Sequence, residues 1–226
     1  MLKSEFNINE KHGVCYLSRD GRRVKFTPWL GNLFAATYDR IMERSVFPKK
    51  FNASLPLHME ILKKMYSLLH ESDVLEVAAG SGNAAEVLPA DNRYTGVDIS
   101  SGLLIIAARR FREAGFENPA LYVARAESLP FKNESFGAAL CNVSLNFFDN
   151  VSAFAGELRR VLPPEGQFFC SVPVPERTFA GSRIRGHLNS TEELRQLFTG
   201  AGFEFQPLEY ENGALLYFKT VVTKLL

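Results

Sequence analysis

From residue 74 onward, strand-like and helix-like segments alternate along the chain. Four short apolar runs have the composition of buried strands: residues 74–79, 94–98, 121–124 and 138–143. Helical patterns cover residues 102–113 and 153–162, and a further helix is expected directly after residue 79. Such alternation is typical of βαβ units. We therefore predict an α/β fold built on a doubly wound, mostly parallel sheet.

The end of the chain has a different pattern. Ser190 and Glu193 have the spacing of a capping box, which predicts the start of a last helix there. Two strand-like runs follow, residues 203–210 and 214–222, on either side of an Asn-Gly dipeptide. Because Asn-Gly turns join antiparallel strands, we expect the sheet to finish in an antiparallel hairpin.

The first 52 residues read as an arm added to this core. Residues 14–26 predict a β-hairpin around Asp20 and Gly21, residues 29–44 have a helical pattern, and a second helix is expected at residues 54–69. We therefore divide the chain into residues 1–52, an N-terminal hairpin and helical arm covering the site, and residues 53–226, a cofactor-binding domain. The arm could also mediate oligomer formation.

The composition disfavours several classes of protein. A chain of 226 residues with 46% apolar residues can bury the core of one α/β domain, and its net charge of +1 gives no field that attracts nucleic acid or a membrane. The three cysteines form no CxxC pair, so we predict neither a disulfide framework nor a metal site. No run approaches ~18 apolar residues, and no signal peptide is evident, so we expect a cytoplasmic protein without a membrane span.

A glycine loop follows the first strand-like run of the core. Residues 80–85 read GSGNAA, a G-x-G-x-x-A pattern, and Asp98 lies sixteen residues after Gly82 at the end of the next predicted strand. Glycines allow close approach of a ligand to the backbone, and the acid can accept hydrogen bonds from ribose hydroxyls. The pattern predicts a cofactor that contains adenosine, without deciding which one.

Glu76, four residues before the first loop glycine, separates the possible cofactors. A carboxylate there disfavours a pyrophosphate and favours a cation, by ~1 to 4 kcal/mol at about 4 Å. S-adenosylmethionine fits, because it carries an ammonium and a sulfonium instead of a diphosphate. The alternative is a structural Glu76 that pairs with a lysine.

Four motifs then follow one another in an order typical of one enzyme family. They are EVAAGSG (76–82), GVDIS (96–100), RAESLPF (125–131) and LRRVLPPEG (158–166). From about residue 37 to its end the chain resembles the class I S-adenosylmethionine-dependent methyltransferases, in particular the group around the ubiquinone and menaquinone C-methyltransferases. The resemblance implies a Rossmann-like fold and S-adenosylmethionine as the cofactor.

The resemblance also implies a set of cofactor contacts. They are Glu76, Ala78, Gly80, Ser81, Gly82, Asp98, Ile99, Leu103, Ala126, Glu127 and Asn142. Two positions depart from the family pattern. Arg125 stands where an Asp or Asn commonly binds the adenine amine, and a guanidinium has no acceptor for that role, so the contact is expected to pass to the backbone or to Glu127. Residues 142–148 read NVSLNFF where the family often has a histidine pair.

Three side chains are candidates for roles in catalysis. Tyr38, with Asp39, resembles a Tyr-Asp pair that opens many members of this group, and we expect Tyr38 to close over the methionine part of the cofactor. His58 and His187 are candidate bases or contacts to the methyl acceptor. Packing in the core is the alternative for Tyr38, and a surface or structural role for each histidine.

The function predicted from these residues is transfer of a methyl group from S-adenosylmethionine to a small molecule by in-line displacement. A quinone-like or phenolic acceptor is the first expectation, and a natural product or an amine is the second. The chain lacks the N/D-P-P-Y motif of methyltransferases that act on DNA bases, so no nucleic-acid partner is expected. Two other readings stay open: an NAD-dependent oxidoreductase, and a catalytically silent cofactor-binding interaction protein.

Overall fold

A computed structural model of the chain describes residues 1–19, 22–23, 35–178, 184, 186 and 188–224. The strands are β1 (Asn7–Lys11), β2 (Val14–Arg19), β3 (Arg22–Arg23), β4 (Asp73–Val77), β5 (Arg93–Asp98), β6 (Ala120–Val123), β7 (Ala138–Asn142), β8 (Gln167–Pro173), β9 (Phe203–Leu208) and β10 (Leu215–Val222). The α-helices are α1 (Tyr38–Ile41), α2 (Leu55–Tyr66), α3 (Ser101–Glu113), α4 (Val151–Val161) and α5 (Thr191–Gly200). Together the strands form one sheet.

The sheet has the doubly wound order that the alternating pattern predicts. Its strands lie in the order β1-β2-β6-β5-β4-β7-β8-β10-β9, with β3 beside β2. Strands β6, β5, β4, β7 and β8 are mutually parallel, whereas β10 runs antiparallel to both β8 and β9. The chain moves outward from β4 to β6 and then returns to β7 on the other side of β4. The carboxyl end of β4 is therefore the switch point, where open α/β sheets bind their ligands.

Helices cover both faces of the sheet. The apolar faces of α4 and α5 pack on one side, with Phe154 and Phe198 fully buried. The other side is covered by α2 and α3, with Tyr66 and Phe111 fully buried. The side chains therefore form two apolar cores, one on each face, and the predicted fold class is confirmed.

Four helices begin at a side chain that accepts a hydrogen bond from a backbone N–H of the first turn. The capping residues are Ser54, Ser100, Asn150 and Ser190. Such caps satisfy donors that have no partner inside the helix. The predicted capping box takes a modified form, because the side chain of Glu193 accepts from the N–H of Asn189, the residue before Ser190, whereas a regular box uses the N–H of the capping residue.

The arm departs from the regular helix that the pattern predicts. Residues 29–34 lie outside the described part of the chain. Beyond them the backbone forms a 3-10 turn (Ala35–Thr37), the short helix α1 and a π-helix (Met42–Lys50). Pro48 lies inside the π-helix, and because proline has no N–H and crowds the preceding turn, a regular α-helix would be broken there.

The helix expected after the glycine loop is also shorter than predicted. It is a single 3-10 turn, Asn83–Glu86. Gly82 precedes it in the left-handed region with φ of 84°, and Pro89 follows within three residues. Since the residue before a proline avoids the helical region, the helix has no room to extend.

The N-terminal strands extend the sheet. β2 runs parallel to β6, with Cys15 opposite Tyr122, and antiparallel to β1. The predicted hairpin is present as the pairing of β2 with β3, although Asp20 and Gly21 lie outside the described residues. Strand β1 was not anticipated, because its polar residues are exposed on both faces. Within the described ranges, none of the helices is long and apolar enough to cross a membrane.

The Asn-Gly pair before β10 does more than reverse the chain. The strands it joins are antiparallel as expected, but residues 209–214 form a longer connection that rests on residues 51–54. A Cβ atom at Gly213 would lie 2.2 Å from the carbonyl oxygen of Asn52, and Gly213 has φ of 59°. The connection therefore holds the end of the arm in contact with the residues before β10.

This contact gives a prediction for stability. We expect Gly213→Ala to destabilise the protein by about 2 to 4 kcal/mol, because it combines left-handed backbone strain with a steric clash. Chemical denaturation measures this change. The matched control is Gly156→Ala in α4, where a Cβ atom meets nothing within 4 Å and alanine favours the helix by roughly 0.5–1 kcal/mol. Equal stability of the two variants would contradict the packing described here.

Candidate active site

The glycine loop leaves β4 at the switch point and turns through left-handed backbone. Ala78, Gly80 and Gly82 have φ of 57°, 55° and 84°. A Cβ atom at Gly82 would lie 2.7 Å from the Cα of Ala107 in α3, so this glycine permits close packing. At Gly80 a Cβ atom would meet nothing within 4 Å. The first loop glycine therefore faces open space, where a ligand can approach the backbone.

Asp98 at the end of β5 supports this loop. One carboxylate oxygen accepts a hydrogen bond from the N–H of Gly80 at 2.9 Å, and the other accepts from the N–H of Ser100 at 2.8 Å. Burial raises the pKa of Asp98, while these backbone donors oppose the increase. Each oxygen has two lone pairs, so acceptor capacity remains for ribose hydroxyls. That role of Asp98 stays a prediction.

Glu76 is buried at the carboxyl end of β4, with 3% of its surface exposed. The hydroxyl of Tyr94 donates to one oxygen at 2.6 Å, and the side-chain amide of Asn142 donates to the other at 3.2 Å. Burial raises the pKa of Glu76 to about 7, although both hydrogen bonds favour the ionised form. Among the described residues no lysine or arginine pairs with Glu76, so the structural ion pair considered from the sequence has no support there.

Two hydroxyl groups fix the orientation of the Asn142 amide. Its oxygen accepts hydrogen bonds from the hydroxyl of Tyr66 at 2.9 Å and from the hydroxyl of Ser171 at 3.2 Å. The amide nitrogen must therefore face Glu76. The sequence pointed to Asn142 and Glu76, but Tyr66, Tyr94 and Ser171 have no local signal that separates them from core residues.

Asp39 and Arg110 connect the arm to the glycine loop. The carboxylate of Asp39 accepts a hydrogen bond from the hydroxyl of Ser81 at 2.6 Å and forms an ion pair with Arg110. The guanidinium of Arg110 also donates to the carbonyl oxygen of Ser81 at 3.3 Å and to the side chain of Asn83. Sequence reasoning missed Arg110, because a basic residue near the end of a helix is ordinary.

Tyr38 is held next to this connection. Burial, followed by the negative charges of Asp98 and Asp39, raises the pKa of Tyr38 to about 12. The phenol is therefore neutral and lies close to the acid predicted to bind ribose. This placement fits the predicted closing role of Tyr38, which stays a prediction.

The remaining predicted cofactor contacts lie further along the edge of the sheet. Leu103 and Ala126 are buried, and Ile99 is half-buried. The carboxylate of Glu127 accepts from the N–H of Asp149 at 3.0 Å, and Arg125 pairs with the side chain of Asp149. Arg125 thus forms an ion pair with an acidic neighbour, and the expectation that the adenine amine is bound by the backbone or by Glu127 stays a prediction.

A cleft joins the glycine loop to the arm and to α2. It is lined by Tyr38, Met42, Phe47, Leu55, His58, Met59, Leu62, Glu76, Ala78, Ala79, Gly80, Ser81, Asn83, Ala84, Asn142, Val143 and Ser144. The structure thus brings seven of the predicted site residues to one cleft, while Gly82, Asp98, Ile99, Leu103, Ala126 and Glu127 lie outside its lining. His187 lies outside the described residues. Val143 also lines the cleft, and its φ of 48° is an uncommon, strained backbone conformation for a β-branched residue. Strained backbone of this kind is found mostly at functional sites.

Comparison with known proteins shows what this part of the chain is similar to. A sequence model described as a methyltransferase domain matches residues 75–170, which span β4 to β8. Over this segment the chain is similar to methyltransferases. The matched segment holds the glycine loop, Asp98 and Asn142, so the similarity includes residues predicted to bind the cofactor.

Two curated relatives match the same part of the chain. An uncharacterized methyltransferase, YcgJ of Bacillus subtilis, is 33% identical over 99 residues, which are 43% of this chain and 39% of that protein. A demethylmenaquinone methyltransferase of Symbiobacterium thermophilum is 32% identical over 103 residues, 43% of this chain and 41% of that protein. The chain thus aligns with about two fifths of the length of these relatives.

Solved structures share the fold over a longer range. The crystal structure of YcgJ superposes with a TM-score of 0.64 and 17% identity, covering 75% of this chain and all of that one. A putative methyltransferase of Haloferax volcanii, in complex with the Trm112 activator, superposes with a TM-score of 0.66 and 18% identity, covering 85% of this chain and 97% of that one. At this identity the likeness establishes the class I methyltransferase fold alone.

The raised pKa of Glu76 predicts how cofactor affinity depends on pH. Only the ionised carboxylate attracts the cationic cofactor, so lowering the pH from 8 to 6, through a pKa of about 7, should weaken S-adenosylmethionine binding about tenfold. Calorimetric titration at both pH values measures this change. Glu76→Gln should bind weakly at both, while the exposed Glu71→Gln should behave as wild type. The same pH dependence in Glu76→Gln would refute the assignment.

The position of Tyr38 predicts a kinetic effect. Tyr38→Phe should weaken cofactor binding or slow turnover by about five- to tenfold, because a hydrogen bond near the cofactor contributes roughly 1 kcal/mol. Steady-state kinetics with varied cofactor separates the two effects. Tyr16→Phe in β2 serves as a control away from the cleft. Unchanged kinetics in Tyr38→Phe would show that the side chain only packs.

Proposed function

We propose that the protein transfers a methyl group from S-adenosylmethionine to a small apolar acceptor of the quinone-like or phenolic type. The observation that carries this proposal is the composition of the cleft. Glu76 and the glycine loop form one side of it, and apolar side chains from the arm and α2 form the other. The charged methyl donor would lie beside Glu76 and the glycine loop, and an apolar methyl acceptor would lie against the apolar side chains.

The apolar side suits a ring system. Met42, Phe47, Leu55, Met59 and Leu62 contribute thioether, aromatic and aliphatic surface to it. Ligand pockets of this kind are mostly apolar, with a few placed polar groups that orient the ligand. The similarity to demethylmenaquinone methyltransferases supports an aromatic acceptor, although function is decided by the site and not by the fold.

The residues of the cleft would act mainly by positioning. Methyl transfer from a sulfonium is an in-line displacement with a neutral leaving group, and correct orientation can supply ~7 to 11 kcal/mol. Glu76, fixed by Tyr94 and Asn142, would hold the positive end of the cofactor. Tyr38, fixed through Asp39 and Ser81, would close the arm over it and exclude water.

The other readings of the sequence find less support. A buried carboxylate next to the loop disfavours the diphosphate of a nicotinamide cofactor. A catalytically silent interaction protein gives no reason for the strained backbone of Val143, which lines the cleft. We further propose that residues 1–52 act as the covering arm, that the protein is cytoplasmic and acts without nucleic acid, and that any oligomer forms through this arm.

The acceptor side of the cleft gives a testable prediction. With 1-naphthol, 1,4-naphthoquinol and an aromatic amine as test acceptors, we expect mass spectrometry to detect methylated phenol or quinol. Met59→Gln should reduce turnover of these acceptors about tenfold at unchanged cofactor affinity, because burying an amide against an apolar ligand costs roughly 1–2 kcal/mol.

The matched control is Leu57→Gln, two residues before Met59 on α2, where the side chain is 38% exposed and does not line the cleft. It should retain wild-type kinetics. Methylation of the amine alone, or tight NAD binding without S-adenosylmethionine binding, would overturn the proposal.

A further inference from the structure

His58 is a buried histidine whose ring is fixed on both sides. It lies on α2 with 3% of its surface exposed and lines the cleft beside the glycine loop. Its ring packs between Phe47 and Tyr217, with centroid distances of 5.2 and 5.7 Å. The ring nitrogen Nδ1 lies 3.0 Å from the hydroxyl oxygen of Tyr217. Within the described residues, Nε2 has no hydrogen-bond partner.

Asn212 determines the direction of the hydrogen bonds in this group. The N–H of Ser54 donates to its side-chain oxygen at 2.8 Å, so the oxygen and nitrogen of the amide are assigned without ambiguity. The amide nitrogen then donates one hydrogen to the carbonyl oxygen of Ser54 and the other to the hydroxyl oxygen of Tyr217, each at 3.0 Å. Both donors of Asn212 are therefore used.

Tyr217 must then donate to His58. Its oxygen already accepts from Asn212, and within the described chain Nδ1 of His58 is the acceptor left for its hydrogen. If Nδ1 carried the proton instead, the hydroxyl hydrogen would be buried without a partner, which is unfavourable. The network thus places the proton of the neutral imidazole on Nε2. Burial also lowers the pKa of His58 to about 4, so the ring is neutral at ordinary pH.

We propose that His58 donates a hydrogen bond from Nε2 to an oxygen of the methyl acceptor, and that Tyr217 and Asn212 are positioning residues that fix this tautomer. An Nε2 that already carries a proton cannot act as a general base, which was one of the two roles considered from the sequence; the other was a contact to the methyl acceptor. It suits a carbonyl, phenol or phenolate oxygen. The identity of the acceptor rests on the proposed function, whereas the tautomer does not.

The tautomer can be measured without any acceptor. In protein labelled with ¹⁵N-histidine, NMR distinguishes a protonated from an unprotonated ring nitrogen, and His58→Gln identifies the signals of His58. We expect Nε2 protonated and Nδ1 unprotonated in the wild type, with a mixture of tautomers in Tyr217→Phe. The control is Tyr210→Phe, whose ring packs against Tyr217 at 5.9 Å and which should leave the signals unchanged. A protonated Nδ1 in the wild type would overturn the proposal.

The role toward the acceptor is tested by paired probes. Binding of 1-naphthol and of naphthalene is measured by calorimetry in the presence of S-adenosylhomocysteine. We expect His58→Phe to weaken naphthol binding about tenfold and to leave naphthalene unaffected, with partial recovery in His58→Gln, whose amide can donate. Equal loss for both probes, or none, would refute a donor role. If the wild type binds neither probe, the phenolic acceptor class is wrong, and the NMR result alone then decides the tautomer.

Discussion

A buried carboxylate at the switch point organises the site. Removing Glu76 from water is unfavourable, and the protein offsets this only in part, with hydrogen bonds from Tyr94 and Asn142 and no basic partner in the described chain. The result is an acid whose pKa is near neutrality. A positive charge beside it would stabilise its ionised form. A cationic ligand would provide that charge, which is the role proposed for the cofactor. The same reasoning explains why a glycine loop that fits a dinucleotide by its spacing is better suited to a sulfonium and an ammonium.

The arm takes its position from contacts that reach across the fold. Asp39 and Arg110 are 71 residues apart in the sequence, and both are bonded to Ser81 of the loop. At its other end the arm carries Phe51 and Asn52, whose carbonyl oxygens meet the connection around Gly213. The arm is thus attached to the glycine loop through Asp39 and to the connection before β10 through Phe51 and Asn52.

Local patterns predicted most of the fold but only part of the site. Alternating strands and helices, capping residues and an Asn-Gly pair are encoded within a few residues, so the sheet, the helix starts and the terminal hairpin could be read from them. The acid and the loop, Glu76 and residues 80–85, were found because a ligand imposes their spacing. The π-helix around Pro48 and the supports Tyr66, Tyr94 and Arg110 were not found. Their roles come from partners far away in sequence, and their residue types are those of an ordinary core or helix end.

The hydrogen-bond network around His58 determines which ring nitrogen carries the proton, and the residue type alone does not. A histidine in a cleft can be a base, a donor or an acid, and its pKa alone establishes only that it is neutral. The choice between base and donor depends on a chain of three hydrogen bonds that begins at the backbone of Ser54 and passes through Asn212 and Tyr217. Because a backbone N–H can only donate, the direction of every later bond follows. The same connection that fixes the arm to the sheet thereby sets the protonation of the one histidine described in the cleft.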